Sequence, residues 1–366
     1  MKTTPNLLAA AGIGSAAIQA RIDETARAIF SDPAERFYFE SGADAGYFMD
    51  TGNLDARTEG MSYGMMMAVQ LNRKDLFDRL WAFSLRYMHN ESGKYAGYFA
   101  WSVKPDGTRN SDGPAPDGEE YYAMALFFAS ARWGEGESPF DYAAQARNIL
   151  RHAVHQPELV KGGHAMWDER TALIRFVPET PFSDPSYHLP HFYERFAGLA
   201  DPEDRAFWRR AANASRAYLV KACHPVTGLA PEYAHFDGTP ETSRGHGDFF
   251  SDAYRVALNI GLDSAWYGQR PEYKAIADRL QSFLWDKEPF MTYTIRGEAK
   301  QPPALHPTAV IATTAAASLA TDTSLSRAWV LKFWHTPPRR GDRRYYDNCL
   351  YFFCLLMLGG AYTAYA

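Results

Sequence analysis

Two adjacent stretches of this sequence differ sharply in character: Ser62-Tyr63-Gly64-Met65-Met66-Met67-Ala68-Val69-Gln70-Leu71 and, two residues later, Lys74-Asp75-Leu76-Phe77-Asp78-Arg79-Leu80-Trp81-Ala82-Phe83. The first carries no charged residue, and a helix that is apolar all round is usually buried on every side. The second places apolar residues at helical spacing between charges, so it is expected to keep one face in water. The pair therefore predicts an inner helix followed by an outer one.

The same alternation runs along the whole chain. Apolar residues at the 3.6-residue period, with breaks at Gly, Pro and Asp, predict about twelve helices. These are Ala16–Ile29, Ser62–Leu71, Lys74–Met88, Glu119–Arg132, Phe140–His155, Pro185–Phe196, Glu203–Lys221, Ser251–Leu262, Arg270–Trp285, Thr308–Leu319, Asp322–Phe333 and Tyr346–Tyr362. Six buried helices, each beside an amphipathic one, predict an all-α fold: an (α/α)6 barrel of six inner and six outer helices, in one domain spanning 1–366. The longest loops precede the buried helices, so one face of the barrel is expected to carry the function.

Composition excludes several classes of function. The formal charge of -5 gives no support for binding nucleic acid or an anionic membrane surface. The apolar run Leu350–Leu358 is too short to cross a bilayer and is predicted to be a core helix. Aromatic content of 15% is high, and an excess of aromatic rings suits a cleft that binds sugars. The sequence leaves the oligomeric state open.

The three cysteines indicate a reducing compartment. Cys349 and Cys354 are five residues apart on one helix and diverge around its axis, so the sequence predicts buried, reduced thiols. The stretch Leu7–Ile13 weakly resembles a signal peptide. However, Ile18 and Ile22 continue at helical spacing into charged sequence, which predicts a structural first helix and a cytoplasmic protein.

Three carboxylates stand at the starts of predicted helical segments: Glu59, Asp117 and Asp252. A helix start has unpaired N–H groups and a positive dipole end, so it favours a carboxylate. Each could be an ordinary N-cap. If the three starts converge on one face, they form an acidic cleft suited to glycosidic hydrolysis, in which one carboxyl protonates the leaving oxygen and another activates water.

The surroundings of each acid suggest a different role. Glu59 lies among glycines and methionines, which would raise its pKa as a general acid requires. Arg255, three residues after Asp252, would keep that carboxylate ionised as a base. Asp117 could hold a sugar hydroxyl next to the scissile bond, and Tyr187 could orient the attacking water.

Several aromatic residues could stack on sugars: Phe99, Trp101, Trp167, Tyr345 and Tyr346, with Trp101 favoured because its loop leads to Asp117. A metal or cofactor is not expected. His164, His188 and His191 match no strong zinc spacing, and the chain has neither a phosphate-binding Gly-rich loop nor a Gly-x-Ser-x-Gly elbow.

Several long motifs resemble family 8 glycoside hydrolases, and within them the enzymes that release xylose from reducing ends. These motifs are Arg57-Thr58-Glu59-Gly60-Met61-Ser62-Tyr63-Gly64, Ala100-Trp101-Ser102, Gly113-Pro114-Ala115-Pro116-Asp117-Gly118-Glu119-Glu120-Tyr121, Phe182-Ser183-Asp184-Pro185-Ser186-Tyr187-His188-Leu189-Pro190, Phe249-Phe250-Ser251-Asp252-Ala253-Tyr254-Arg255, Leu305-His306-Pro307 and Arg343-Arg344-Tyr345-Tyr346-Asp347-Asn348. The resemblance implies an (α/α)6 barrel and an inverting mechanism without a cofactor. It makes Glu59 the acid, Asp252 the base and Asp117 the residue that binds and distorts the sugar, with Tyr187 holding the water.

The resemblance also implies the substrate, a short β-1,4-xylo-oligosaccharide whose reducing-end hydroxyl would meet His306. The predicted substrate-binding residues are Trp101, Trp167, Arg255, His306 and Tyr346. The chain departs from the family pattern in Thr292–Pro303. This stretch bears on whether one end of the cleft is blocked, and a blocked cleft is what strict exo action requires. An endo-acting family 8 xylanase or related β-glycanase is therefore the alternative. An epimerase or lyase on the same barrel would need a His or Tyr base, and a binding protein would leave the three acids unexplained.

Overall fold

The helices form two concentric rings in the computed structural model, which describes residues 1–365. The inner ring consists of α3 (Thr58–Gln70), α5 (Pro116–Trp133), α7 (Pro190–Leu199), α9 (Arg255–Tyr267), α11 (Pro307–Ala316) and α13 (Arg344–Leu358). The outer ring consists of α2 (Ser15–Phe30), α4 (Lys74–Phe83), α6 (Tyr142–Leu159), α8 (Arg205–Ala222), α10 (Pro271–Leu284) and α12 (Ser324–His335), and a short α1 (Leu7–Ala10) precedes them. The predicted (α/α)6 barrel is confirmed.

The inner ring closes because its helices present small or apolar residues on all sides. From Gly60 onwards every residue of α3 is buried, and so is nearly all of α13. The last inner helix, α13, contacts the first, α3, and α2 packs outside α13. The outer helices bury one stripe only, as Leu76, Phe77 and Leu80 show on α4.

The starts of several helices differ from the prediction, and the differences lie at the functional face. Both α3 and α5 begin earlier than expected, so Glu59 and Asp117 are the second residues of their helices and not caps. Two predicted segments begin with separate 3₁₀ turns, Pro185–Tyr187 and Ser251–Tyr254. Pro190 explains the first break, because a proline disfavours helical backbone in the residue before it.

Short strands, largely invisible in the sequence, tie the loops together. They are β1 (Lys2–Thr3), β2 (Tyr38–Ser41), β3 (Ala45–Phe48), β4 (Ala56–Arg57), β5 (Ser102–Val103), β6 (Arg109–Ser111), β7 (Phe182–Ser183), β8 (Ala234–His235), β9 (Asp248–Phe249), β10 (Met291–Thr294), β11 (Ala299–Pro303) and β12 (Thr363–Ala364). Antiparallel pairing gives five small sheets: β1-β12, β2-β3, β4-β5-β6, β7-β8 and β9-β10-β11. Apart from β1-β12, which joins the chain ends, all lie in segments that precede inner helices, so they brace one face of the barrel.

The cysteines are all buried and unpaired, as predicted. Within residues 1–365, none of the helices combines the length and the apolar character needed to span a bilayer.

Candidate active site

The three predicted acids meet at one buried arginine, Arg255, the first residue of α9. Its Nη1 lies 3.3 Å from Glu59 Oε2 and 2.9 Å from Asp117 Oδ2. Its Nη2 lies 3.2 Å from Asp252 Oδ1. The starts of α3, α5 and α9 therefore converge, although Asp252 sits on the 3₁₀ turn just before α9 and not on an α-helix.

Glu59 lies in surroundings suited to a general acid. Tyr345 donates a hydrogen bond of 2.9 Å to its Oε1, and the side chain is only 14% exposed. Burial, together with the carboxylates Asp117 and Asp252, raises the pKa of Glu59 from 4.5 to about 7 against the opposing charge of Arg255. The carboxyl group can therefore hold a proton near neutral pH.

Two glycines permit this close arrangement. A Cβ on Gly60 would overlap the Tyr345 hydroxyl that reaches Glu59. A Cβ on Gly118 would overlap the side chain of Thr58, the first residue of α3, so this glycine lets the starts of α5 and α3 approach each other. The Gly residues beside Glu59 and Asp117 are thus required by close approach.

Asp117 is more deeply buried than Glu59. The backbone N–H of Gly118 donates to its Oδ1 at 2.9 Å, and Arg255 donates to its Oδ2. Burial raises the pKa of Asp117 above its ordinary value, and the charge and hydrogen bond of Arg255 oppose that rise. A fixed carboxyl group at the wall of the cleft suits the binding of a sugar hydroxyl.

Asp252 is the most accessible of the three acids, with 30% of its side chain exposed. The preceding residue, Ser251, has φ of +33°, an uncommon conformation for a residue with a side chain. Tyr346 donates to the Ser251 carbonyl at 3.3 Å, which holds the strained turn. An accessible carboxylate on a fixed turn is suited to contact water.

Tyr187 lines the same cleft from the 3₁₀ turn before α7. Its ring lies 5.5 Å from the Arg255 guanidinium, and burial raises the pKa of its phenol well above the usual value, so the hydroxyl keeps its proton. Asp184 caps the turn by accepting the N–H of Ser186 at 2.7 Å. A protonated phenol held in this way can orient a water molecule.

The cleft has a larger compartment on one side of the acids, with a volume of 370 Å³. Trp101 lies on its wall with Arg57 over the ring at 5.3 Å, as expected for a candidate sugar platform. The wall is completed by Phe176, Val177 and Tyr233, which the sequence analysis missed. The rings of Phe176 and Tyr233 are in contact, with centroids 4.2 Å apart and planes tilted by 40°. Single aromatic residues in loops give no sequence signal, so only the fold could bring them to the cleft.

A smaller compartment of 130 Å³ lies on the other side and shares Arg57, Glu59 and Asp252 with the first. Two of the predicted substrate-binding residues, His306 and Tyr346, line it, with ring centroids 4.7 Å apart. Residues that the sequence analysis missed complete its lining: Asp50, Asn53, Ser251, Leu305 and Arg343. The run Asp50-Thr51-Gly52-Asn53 is a turn signal that could have drawn attention to this loop.

The orientation of His306 is fixed by Asp347. His306 Nδ1 lies 2.9 Å from Asp347 Oδ2, and Asp347 also accepts from Arg339 and from the N–H of Ala309. A carboxylate at Nδ1 keeps the proton on that nitrogen and leaves Nε2 as an acceptor in the neutral ring. Arg339 also donates to the Leu305 carbonyl, so the wall following the divergent stretch Thr292–Pro303 is anchored.

One predicted site residue lies away from the cleft, and two others have contacts that the sequence did not predict. Trp167 is 2% exposed and packs in the core against Tyr193 and Trp208, outside both compartments, because its loop folds back onto α8. Arg255, predicted to bind substrate, lines the larger compartment, and its buried guanidinium contacts the three acids. Tyr345, a candidate sugar platform, lines the smaller compartment and donates a hydrogen bond to Glu59.

The candidate platform Phe99 belongs to the core, and so do two of the histidines that raised the metal question, His188 and His191, whereas His164 is exposed. Phe99 packs between Trp81 and Tyr122. His188 is flanked by Ser183 and Ser215 at 2.9 and 2.8 Å, and burial lowers its pKa to about 3. Residues 1–365 contain no group of three or more His, Cys, Asp or Glu side chains placed to hold a metal ion.

Comparison with known proteins gives consistent similarities. The sequence profile for glycosyl hydrolases family 8 matches residues 38–360. The chain is 56% identical over 360 residues to the reducing end xylose-releasing exo-oligoxylanase of Halalkalibacterium halodurans, which covers 97% of this chain and 92% of the relative. It is 50% identical over 368 residues to the enzyme with the same description in Bifidobacterium adolescentis, covering 98% and 96%. The crystal structure of a mutant reducing-end-xylose releasing exo-oligoxylanase complexed with xylobiose matches with a TM-score of 0.98 and 54% identity, covering 100% and 98%.

Proposed function

This chain belongs to glycoside hydrolase family 8, and we propose that it releases xylose from the reducing end of short β-1,4-xylo-oligosaccharides with inversion of configuration. The observation that carries the proposal is the unequal division of the cleft at Glu59 and Asp252. The compartment of 370 Å³ has room for the longer part of the substrate, while that of 130 Å³ suits a single leaving sugar. An endo-acting enzyme would need an acceptor side that continues beyond the first sugar.

The residues divide the reaction between them as follows. Glu59 donates its proton to the glycosidic oxygen as the bond to the anomeric carbon breaks. A water held by Tyr187 attacks that carbon from the opposite face and gives its proton to Asp252. Asp117 binds the sugar at the cleavage point, and Trp101 supports the sugars beyond it. These roles are supported by the raised pKa of Glu59, the accessibility of Asp252 and the placement of all five residues along one cleft.

His306 accounts for selection of the reducing end. With Nδ1 committed to Asp347, its Nε2 can accept a hydrogen bond from the anomeric hydroxyl of a cyclic xylose in the small compartment. Because His306 is only 7% exposed, a substrate lacking the hydroxyl leaves a buried polar atom without a partner. A sugar reduced to an open alditol cannot present that hydroxyl in ring geometry.

The test is hydrolysis of xylotriose by the purified protein, followed by product analysis. We expect xylose and xylobiose, with much slower cleavage of borohydride-reduced xylotriose and of polymeric xylan. Equal rates on reduced and unreduced xylotriose would instead identify an endo-acting enzyme. Xylotriose labelled at the reducing-end sugar shows directly which sugar is released.

We also propose that the enzyme works in the cytoplasm, as a single catalytic domain. The support is that Cys223, Cys349 and Cys354 are all unpaired and buried, which suits a reducing compartment. Fractionation of the source cells tests this, because activity found mainly in the culture medium would exclude it.

A further inference from the structure

Behind the cleft, a buried glutamate is linked to the backbone of Tyr187 through a second tyrosine. Glu120 follows Asp117 by one turn on α5 and is 1% exposed. Its Oε2 lies 2.9 Å from the hydroxyl oxygen of Tyr193 on α7. The same hydroxyl oxygen lies 3.0 Å from the carbonyl oxygen of Tyr187. None of the steps in the proposed reaction uses Glu120 or Tyr193.

The number of protons available decides how these groups are bonded. A tyrosine hydroxyl carries one proton, and a backbone carbonyl can only accept. The Tyr193 hydroxyl therefore uses its proton in the hydrogen bond to the Tyr187 carbonyl. The contact between Tyr193 and Glu120 then needs a proton from the carboxyl group. An ionised Glu120 would instead place two acceptors on a single donor.

The surroundings of Glu120 also favour its neutral form. The charged or titratable groups that face it are Asp117 on its own helix, Asp184 before α7 and Arg255 on α9, besides Tyr193. In residues 1–365 no Lys or Arg nitrogen lies within 4.0 Å of its oxygens, because Arg255 is committed to the cleft acids. Its Oε1 has no hydrogen-bond partner. Burial first, then Asp117 and Asp184, raise the pKa of Glu120 well above its ordinary value.

We propose that Glu120 is a neutral carboxylic acid that donates to Tyr193, which in turn donates to the Tyr187 carbonyl, so that Glu120 and Tyr193 are positioning residues for Tyr187. The carbonyl lies at the end of the 3₁₀ turn Pro185–Tyr187, whose start is capped by Asp184. The turn is thus held at both ends, and the Tyr187 ring is directed into the cleft. The part concerning catalysis rests on the proposed function, whereas the protonation of Glu120 does not.

Activity measurements on three variants test the positioning role. Glu120→Gln keeps a donor toward Tyr193 without changing charge, so we expect kcat within about twofold of wild type. Glu120→Met and Tyr193→Phe each break the link, and we expect kcat to fall about tenfold with KM changed less than about twofold. Because both break one link, the double variant should lose no more than either single variant. The positioning role would be overturned if the kcat losses of Glu120→Met and Tyr193→Phe were additive in the double variant. It would also be overturned if Glu120→Gln were as impaired as Glu120→Met.

The pH profile and infrared spectroscopy test the proton itself. If Glu120 is neutral, Glu120→Gln leaves the alkaline limb of kcat/KM where it is. If Glu120 were ionised, removing its charge would lower the pKa of Glu59 and move that limb to lower pH, contradicting the proposal. Infrared spectra above pH 8 should show a protonated-carboxyl component that shifts in Tyr193→Phe and is lost in Glu120→Gln. Glu119 is equally buried on α5, and burial raises its pKa as well, but it contacts the N–H of Phe99 and not Tyr193. Glu119→Gln is therefore the matched control, because it should leave the component that responds to Tyr193→Phe in place. The band is read without substrate, so a failure to cleave xylotriose would refute the proposed function and leave this test intact.

Discussion

Replacing Glu59 by glutamine should abolish most activity and yet stabilise the protein at alkaline pH. The side chain is 14% exposed, and its pKa is about 7 in the folded protein against 4.5 ordinarily. Between these values the folded protein keeps a proton that the unfolded chain releases, so the carboxyl group makes the wild-type protein less stable as pH rises. Each pKa unit corresponds to about 1.4 kcal/mol, which gives a penalty of roughly 3 kcal/mol above the folded pKa. Glutamine carries no such penalty.

The geometry allows the glutamine side chain of the Glu59→Gln variant to keep both contacts. Its carbonyl oxygen can accept from Arg255, and its amide can donate to the Tyr345 hydroxyl, which is free to turn and accept. We therefore expect the free energies of unfolding to be similar at pH 4. At pH 8.5 the Glu59→Gln variant should be more stable by roughly 3 kcal/mol. Turnover should fall by roughly two orders of magnitude or more, because a general acid is lost.

The measurement is urea unfolding of both proteins at pH 4 and pH 8.5, beside their kcat on xylotriose. Glu179→Gln is a control of opposite sign. Hydrogen bonds from Tyr95 and Lys94 outweigh partial desolvation and lower the pKa of the exposed Glu179, so this variant should lose stability relative to wild type as pH rises. The reasoning fails if the stability of Glu59→Gln relative to wild type is lower at pH 8.5 than at pH 4. It also fails if the variant remains fully active.

Two further variants test the neighbours of the reaction. Tyr345→Phe removes the 2.9 Å hydrogen bond to Glu59. Because that hydrogen bond favours the ionised form of Glu59, its loss should raise the pKa of Glu59 and move the alkaline limb of kcat/KM about one pH unit higher. Tyr346→Phe, which loses a hydrogen bond to the Ser251 carbonyl, is the control. If the alkaline limb of Tyr345→Phe stays in place or moves to lower pH, Glu59 is not the general acid that Tyr345 contacts. His306→Ala should slow xylotriose cleavage about tenfold or more and leave reduced xylotriose little changed. Equal losses on both substrates would show that His306 does not read the reducing end.

The barrel itself could be predicted from the sequence because inner and outer helices differ in residue type along their whole length. The apolar α13 and the charged, amphipathic α8 and α10 illustrate the contrast. The small sheets could not be predicted, since strands of two to five residues are too short to show alternation. Those sheets hold the site, because Arg57 on β4 pairs with Ser102 on β5 and so brings Trp101 beside Glu59.

Within the site, the residues with a local signal were predicted and those defined by distant contacts were not. Glu59 and Asp117 stand at helix starts among Gly and Pro, which a single stretch of sequence reveals. The link from Tyr345 to Glu59 spans 286 positions, and it follows only from the closure of α13 on α3. Trp167 shows the reverse error, since a Trp in a loop looks the same whether it faces a cleft or the core.

The shared arginine explains why neighbouring carboxyl groups can take different roles. Glu59, Asp117, Asp184 and Asp252 surround Arg255, and one positive charge cannot balance four negative ones. Burial adds to this imbalance and raises the pKa values of Glu59, Asp117 and Asp184 above their ordinary values. Asp117 has the shortest contact with the guanidinium, at 2.9 Å, and also a backbone N–H bond, whereas Glu59 is 3.3 Å away. Asp184 is farther still, at 3.9 Å, and burial raises its pKa well above the ordinary value. Of the acids that can hold a proton near neutral pH, Glu59 is the one at the junction of the two compartments, where the glycosidic oxygen of a bound substrate would lie.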